Sequence, residues 1–225
     1  MADDGLKDIP IVIRKNSRSR NMVMRYQPLQ HHISLTLPRY VTIAQGLDFV
    51  QAKRKWLEQQ VRQHGRHVPL ADGQMIPVLG NWYRIRHVGG RGVVQLEGDE
   101  IHVPGEAAFV ARRLREWLKA WLKKEIVVLA ATKAKALGVQ FKKIALRDTR
   151  SRWGSCSHDG NLSFSWRLIF APREVMAYVV CHEVAHLKHL DHSDRFWAAV
   201  ERLDATHLTQ RQWLRTHGPS LYSYG

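Results

Sequence analysis

The chain has 225 residues, of which 44% are hydrophobic, and a formal net charge of +15. This apolar fraction, together with eight tryptophans, excludes a disordered chain and indicates one folded domain or two small ones. No apolar run approaches the roughly 18 residues of a membrane span, the acidic start Met1–Asp8 is unlike a signal peptide, and only two cysteines are present, so the simplest prediction is a reduced cytoplasmic protein.

The first third of the chain predicts three strands and one helix. Short alternating apolar runs lie at Ile11–Arg14, Met22–Tyr26 and Ile33–Leu37. The arginine-rich stretch 16–21 suits a basic functional loop or a solvated hairpin turn between the first two runs, and we favour the hairpin turn. Thr42 and Gln45 then have the spacing of a capping box, and a helical apolar period continues to about residue 65.

Four further strand candidates follow, separated by glycine-containing turns. They are Ile76–Leu79, Trp82–His87, Val93–Leu96 and Ile101–Val103. We place the boundary between two subdomains at Pro104–Gly105. The predicted fold class is therefore α+β, with a β-rich N-terminal subdomain at 1–104 and a mainly helical subdomain with a small sheet at 105–225.

The second half opens with a long amphipathic helix, from Glu106 to about Leu137, followed by Gly138 as a C-terminal cap. Between residues 105 and 152 there are 13 Lys or Arg and 4 Asp or Glu, an excess of nine positive charges. Such a patch suits either nucleic acid or a solvated helix surface. The helix contributes the basic residues Arg112, Arg113, Arg115, Lys119, Lys123 and Lys124.

A hairpin and a second helix come next. The run beginning at Ile144–Arg147 and the run Leu162–Trp166 flank Asp159–Gly160, a strong hairpin turn signal. Pro172 then suits the first turn of a helix that we expect to continue to about Leu190. Apolar residues cover most of this helix, which predicts a buried, rigid platform, and we expect the preceding long helix to brace it.

This platform helix contains the motif His182-Glu183-x-x-His186. Residues four apart share one helix face, so both imidazoles can reach one cation. In zinc hydrolases with this motif the histidines bind the metal and the glutamate handles the proton of a metal-bound water. The sequence therefore predicts a zinc centre with Glu183 as the catalytic acid and base.

A catalytic zinc needs a third protein ligand and an open position. His189 lies on the same predicted helix face as His182, but seven residues of helix rise about 10 Å, too far for one ion to bridge. His192 follows the predicted helix end and precedes Ser193, a good N-cap for a helix at 194–203. We therefore choose His192 as the ligand and assign His189 to the cleft or to the residues behind the ligands.

At these residues the chain resembles the YgjP-like metallopeptidases. The resemblance rests on His182-Glu-x-x-His-x5-His192 followed by Ser-x-x-Phe-Trp197, on Ser151–Cys156, and on Trp166–Pro172. It implies a zincin-like catalytic half, related to SprT-type and Wss1-like proteases, some of which degrade proteins crosslinked to DNA. It also implies His182, His186 and His192 as ligands and Glu183 as the acid and base, and it does not identify the substrate.

The leading hypothesis is zinc-dependent hydrolysis of proteins or peptides, with an action near DNA if the basic segment binds it. Tyr178, Arg152 and His189 are candidates to stabilise the oxyanion, Trp153 is a further cleft candidate, and Ser151–Cys156 could pair with an extended peptide. One alternative is metal-dependent hydrolysis of a nucleotide phosphoanhydride. Another is a nucleic-acid-binding module with a structural zinc, which would need His189 or Cys156 as a fourth ligand.

Overall fold

The computed structural model describes residues 9–27, 32–64, 67–149 and 151–225, so the predicted polar start Met1–Asp8 lies outside the described residues. The chain forms two compact units, residues 1–67 with Gly225, and residues 68–224. Strands and helices occur in both units, which confirms the α+β class. The division falls at residue 67, whereas the sequence analysis placed it at Pro104–Gly105.

The first unit contains a three-stranded sheet in the order β1-β3-β2. Ile33, Leu35 and Leu37 of the central strand are buried. β1 pairs with β3 in parallel and β2 pairs with β3 in antiparallel fashion, so the expected hairpin between the first two strands is wrong. The most buried strand takes the centre of the sheet. The elements are β1 (Ile11–Lys15), β2 (Val23–Gln27), β3 (His32–Leu37), α1 (Ile43–Ala52) and α2 (Arg54–His64).

The capping box is present at the start of α1. The Thr42 hydroxyl accepts a hydrogen bond from the Gln45 amide, and the Gln45 side chain accepts one from the Thr42 amide. The helical stretch expected to reach residue 65 is divided at Lys53 into α1 and α2. Gly46 lets α1 approach the sheet, because a Cβ there would lie 2.9 Å from both methyl groups of Leu37.

The second unit begins with a four-stranded sheet in the order β4-β5-β7-β6. Ile85, Ile101 and Val103 of this sheet are fully buried in one core with the first turns of the long helix that follows. This packing explains why the division precedes the sheet: these strands bury their apolar side chains against the second half of the chain. The strands are β4 (Met75–Val78), β5 (Asn81–Gly89), β6 (Gln95–Glu97) and β7 (Glu100–Pro104).

A 28-residue helix, α3 (Val110–Leu137), runs through the second unit after a 3₁₀ turn at Ala107–Phe109. Gly138 ends it in the left-handed conformation (φ 68°), as predicted. Residues at i+4 drift by about 40° around a helix, so a stripe with this spacing winds around α3. The helix can therefore bury successive sides against β7, α4 and α5 in turn. The stripe is Leu114, Leu118, Leu122, Ile126, Ala130 and Ala134.

The second sheet has the order β8-β10-β9, and its strands are β8 (Lys143–Arg147), β9 (Gly154–Cys156) and β10 (Asn161–Ser165). β9 and β10 are antiparallel and joined by the turn at Asp159–Gly160, whereas β8 pairs with β10 in parallel. The predicted turn is therefore correct, but β8 is not the first strand of its hairpin. The residues after β8 lead to β9, which forms an edge of this sheet.

The remaining helices surround the site. The motif helix, α4 (Arg173–His186), is largely buried and packs on α3, as predicted, but it ends four residues earlier than expected. The predicted helix after Ser193 is confirmed as α5 (Asp194–Leu203), and α6 (His207–His217) follows it. 3₁₀ turns lie at Trp166–Phe170 and Gly218–Ser223. Within the described part of the chain, no helix combines the length and apolar character that crossing a bilayer requires.

Candidate metal centre and cleft

Three histidine side chains converge at the C-terminal end of α4. His182 and His186 lie one turn apart on the helix, and His192 returns from the loop that follows. One ring nitrogen from each lies within 4.8 Å of the others. The Nε2 atoms of His182 and His192 are 3.2 Å apart. Among the described residues these three form the group that could hold a metal ion, and neither His189 nor Cys156 joins it.

Because α4 ends at His186, the loop that follows it can orient the His186 side chain, one of the three candidate ligands. The chain turns after His186, and the backbone carbonyl of His189 lies 3.0 Å from His186 Nδ1. A hydrogen bond donated by Nδ1 to this carbonyl leaves Nε2 with its lone pair for a cation. His189 thus contacts the centre through its backbone, not through the side chain that the sequence analysis had singled out.

A phenylalanine from α5 packs against all three imidazoles. Phe196 is fully buried, and its ring centre lies 4.9, 4.4 and 4.8 Å from those of His182, His186 and His192. Close packing of this kind restricts ring rotation and so fixes the directions of the nitrogens. The Ser-x-x-Phe-Trp pattern is visible in the sequence, but nothing in the pattern itself indicates this packing role.

The donor set fits zinc. Two nitrogens bound to one zinc at about 2.05 Å and at the tetrahedral angle lie about 3.3 Å apart, close to the 3.2 Å separation of the His182 and His192 Nε2 atoms. Burial, with the charges of His186, His192 and Arg211, lowers the pKa of His182 to about 3, so this ring is neutral and available as a ligand. The same separation also suits an N–H···N hydrogen bond, so a direct metal measurement is decisive.

Glu183 lies beside the imidazoles and is almost fully buried, with 5% of its surface exposed. Burial raises the pKa of its carboxyl group to about 8, although the charge of Arg152 opposes the shift. Gly154 of β9 makes the close approach possible, because a Cβ there would lie 2.5 Å from Glu183 Cγ and Oε1. No local sequence pattern connects β9 with α4, so the role of this glycine could not be predicted.

A cleft of about 350 Å³ opens over these groups. It brings together His182, Glu183 and three of the predicted cleft residues, Arg152, Trp153 and Tyr178, but not His189. Residues from α6 complete the cleft; they lie 25 to 29 residues after His186, beyond the reach of any local sequence pattern. Other residues that line the cleft are Gly154, Val179, Arg211, Leu214 and Arg215.

Three of the basic residues of α3 make contacts within the protein. Arg112 lies over the Phe109 ring, Arg113 donates a hydrogen bond to the Gly92 carbonyl, and Lys119 pairs with Glu116. These contacts occupy part of the positive charge of the helix within the protein. They lend no support to a nucleic-acid site.

A buried arginine stabilises the segment at Arg152 and Trp153 that forms one wall of the cleft. Arg167 is 2% exposed, pairs with Asp148, and donates a hydrogen bond to the Tyr224 carbonyl. Its guanidinium also lies over the ring of Tyr222, whose hydroxyl donates to the Thr149 carbonyl. The segment leading to Arg152 and Trp153 is therefore fastened to the 3₁₀ turn at 218–223.

Replacing Arg167 with methionine is expected to lower the free energy of unfolding by about 2–4 kcal/mol, because the Tyr224 carbonyl loses its donor and Asp148 its partner. Urea denaturation measures the change. Arg147→Met is the control, since Arg147 is exposed at the end of β8. Equal losses of stability in the two variants would contradict the role given to Arg167.

Three imidazoles and a buried carboxylate beside one cleft are an arrangement that suits metal-dependent hydrolysis. The chain matches the YgjP-like metallopeptidase domain over residues 20–217. It therefore belongs to the YgjP-like family, as the resemblance implied, and this family's domain is that of a metal-dependent peptidase.

Among solved structures, the chain is similar to one described as the metallopeptidase zymogen of Pyrococcus abyssi abylysin. The two are 24% identical, and the match covers 40% of this chain and 93% of that one, with a TM-score of 0.36. This likeness is too low to carry an argument about the site. No curated protein matches the chain.

Proposed function

We propose that the protein is a zinc-dependent peptidase in which His182, His186 and His192 bind the metal and Glu183 is the general base. The observation that carries the proposal is the convergence of three imidazole nitrogens within 4.8 Å beside the cleft that Glu183 lines. Three nitrogen ligands with a position left open are the usual composition of a catalytic zinc site, whereas structural sites have four protein ligands.

Zinc bound there would supply Lewis acidity, which activates water and polarises a peptide carbonyl. Glu183 would accept a proton from the attacking water at its carboxylate and deliver it to the leaving amine. The pKa of about 8 that burial gives this carboxyl group supports both steps, because an acid–base group works best with a pKa near the working pH. Its close packing against Gly154 holds the carboxylate in one orientation.

Two residues of the cleft are suited to stabilise the developing oxyanion. Tyr178 is 6% exposed and its ring meets that of His182 edge to face, while Arg152 lies near enough to Glu183 to affect its pKa. We propose these two as the groups that donate hydrogen bonds to the substrate carbonyl. His189, the third candidate, does not line the cleft with its side chain.

The edge strand β9 offers a docking position for the substrate backbone. Among the described residues β10 is its one strand neighbour, and Gly154 of β9 lines the cleft. We propose that an extended peptide pairs with β9, since a free strand edge presents unpaired N–H and C=O groups. The peptide would then pass directly over Glu183.

The ligand assignment predicts different results for two histidines three residues apart. His192→Ala is expected to weaken zinc binding by at least about 100-fold and to lower activity in proportion, because one of three ligands is lost. His189→Ala keeps the backbone carbonyl that His186 Nδ1 contacts and is expected to bind zinc normally. Zinc content after dialysis against a chelator measures both, and equal retention by the two variants would exclude His192 as a ligand.

A further inference from the structure

Three arginines line the cleft beside the proposed metal centre. Arg152 precedes β9, while Arg211 and Arg215 lie one turn apart on α6, on either side of the buried Leu214. All three arginines are exposed. Residues four apart on a helix share one face, so the two guanidinium groups of α6 point to the same side.

The positive charge of this cleft is not neutralised by the protein. Glu183 is the one carboxylate that lines it, and no ion pair is formed by Arg152, Arg211 or Arg215 among the described residues. Arg211 lies over the Trp197 ring at 4.7 Å, a contact that orients the guanidinium without cancelling its charge. Three cations against one buried carboxyl group leave an excess of positive charge where a substrate must lie.

This excess has a direct consequence for binding. An acidic side chain entering the cleft gains attraction from the exposed guanidinium groups, whereas a lysine meets like charge. Arginine is also the side chain best suited to pair with a carboxylate through two parallel hydrogen bonds. Val179, Leu214 and the rings of Trp153 and Tyr178 also line the cleft, so the buried Glu183 is its one carboxyl group that could pair with a cation.

We propose that the cleft selects peptides with aspartate or glutamate next to the scissile bond, and that Arg211 and Arg215 recognise this side chain. The inference rests on the proposed peptidase function and names its substrate class. Both arginines are specificity residues: they contact the substrate side chain and take no part in bond breaking.

A matched peptide series tests the proposal. Each member has one sequence in which a single position, on one side of the cleaved bond, is Glu, Gln or Lys, and kcat/KM is measured with the zinc-loaded protein. We expect Glu to exceed Gln by about fivefold and Lys by more, the size expected for exposed charge pairs. The preference should shrink as salt rises from low concentration to about 0.5 M, because exposed charges are screened.

Charge-reversal variants of the two arginines provide a second test of the proposed specificity. Arg211→Glu and Arg215→Glu are each expected to abolish the preference for Glu peptides over Lys peptides, because each replaces a cation of the cleft by an anion. Arg202→Glu on α5 makes the same charge change at an exposed position outside the cleft and should keep the original preference. Arg211→Gln, with circular dichroism of every variant, guards against a fold defect.

The outcomes separate the two claims. Equal cleavage of all three peptides by the unaltered protein, or an unchanged preference in both reversal variants, would overturn the specificity while leaving the peptidase proposal intact. Absence of cleavage of every peptide, together with phosphate release from a nucleoside triphosphate, would overturn both and would assign the arginines to phosphate groups instead.

Discussion

Glu183→Gln is expected to lower kcat/KM for peptide hydrolysis by about 10³-fold, the contribution typical of a positioned general base and acid. The amide has nearly the shape of the carboxyl group, so the contact with Gly154 is kept. It cannot accept a proton from water, so the two proton transfers lose their shuttle. Zinc content should be unchanged, because the three imidazoles are intact.

The matched control for this experiment lies on the same helix. Glu174→Gln makes the same substitution in the exposed first turn of α4 and should retain full activity. Zinc stoichiometry and kcat/KM are measured for both variants with the same peptide. Turnover by Glu183→Gln at the rate of the control would exclude the proposed base.

Gly154→Ala is expected to lower kcat/KM by about 100-fold, the effect that a displacement of about 1 Å can have on a catalytic group. The added methyl would lie 2.5 Å from Glu183 Cγ and Oε1, a distance that no real Cβ contact permits. Either β9 or the carboxylate must move. Because this is overpacking of a closely filled site, we also expect a loss of about 1–3 kcal/mol in the free energy of unfolding.

The control for Gly154→Ala is Gly92→Ala, where the new Cβ would approach Pro104 Cγ at 3.3 Å and lies outside the cleft. This variant should keep its activity. Measurements of kcat/KM and of urea denaturation on both proteins distinguish the two effects. Full activity in Gly154→Ala would show that the position of Glu183 is not set by this contact.

The helix periodicity of the sequence predicted the part of the site that lies on one element. His182 and His186 are on one face of α4 because of their spacing. The rise of a helix favoured His192 over His189 as the third ligand. The helix was expected to end at Leu190, but it ends at His186. The earlier end could not be predicted, because no proline or glycine marks the turn at Leu187. The backbone contact from His189 to His186 follows from that turn and has no signature in residue type.

Features that join distant elements could not be predicted from local patterns. Nothing near Arg211 and Arg215 connects α6 with the motif helix, and nothing near Gly154 shows that β9 lies against Glu183. The prediction of which strands pair was wrong for a related reason. Turn residues identify where the chain reverses, as at Asp159–Gly160, but the parallel pairing of β8 with β10 depends on which apolar faces meet in the core.

The contacts made by residues 220–224 determine when, during synthesis, the cleft can be completed. The rings of Trp153 and Tyr222 pack in a tilted arrangement with their centres 5.2 Å apart, and the Val68 amide donates a hydrogen bond to the Ser223 carbonyl. Residues 222 and 223 therefore contact both the start and the middle of the second unit. These pairings span about 70 and 155 residues, and long loops close at an entropic cost that only a formed core offsets. A nascent chain that carries the whole histidine motif still lacks this wall. The cleft can therefore be completed only after residues 220–224 have emerged from the ribosome and packed against the formed core.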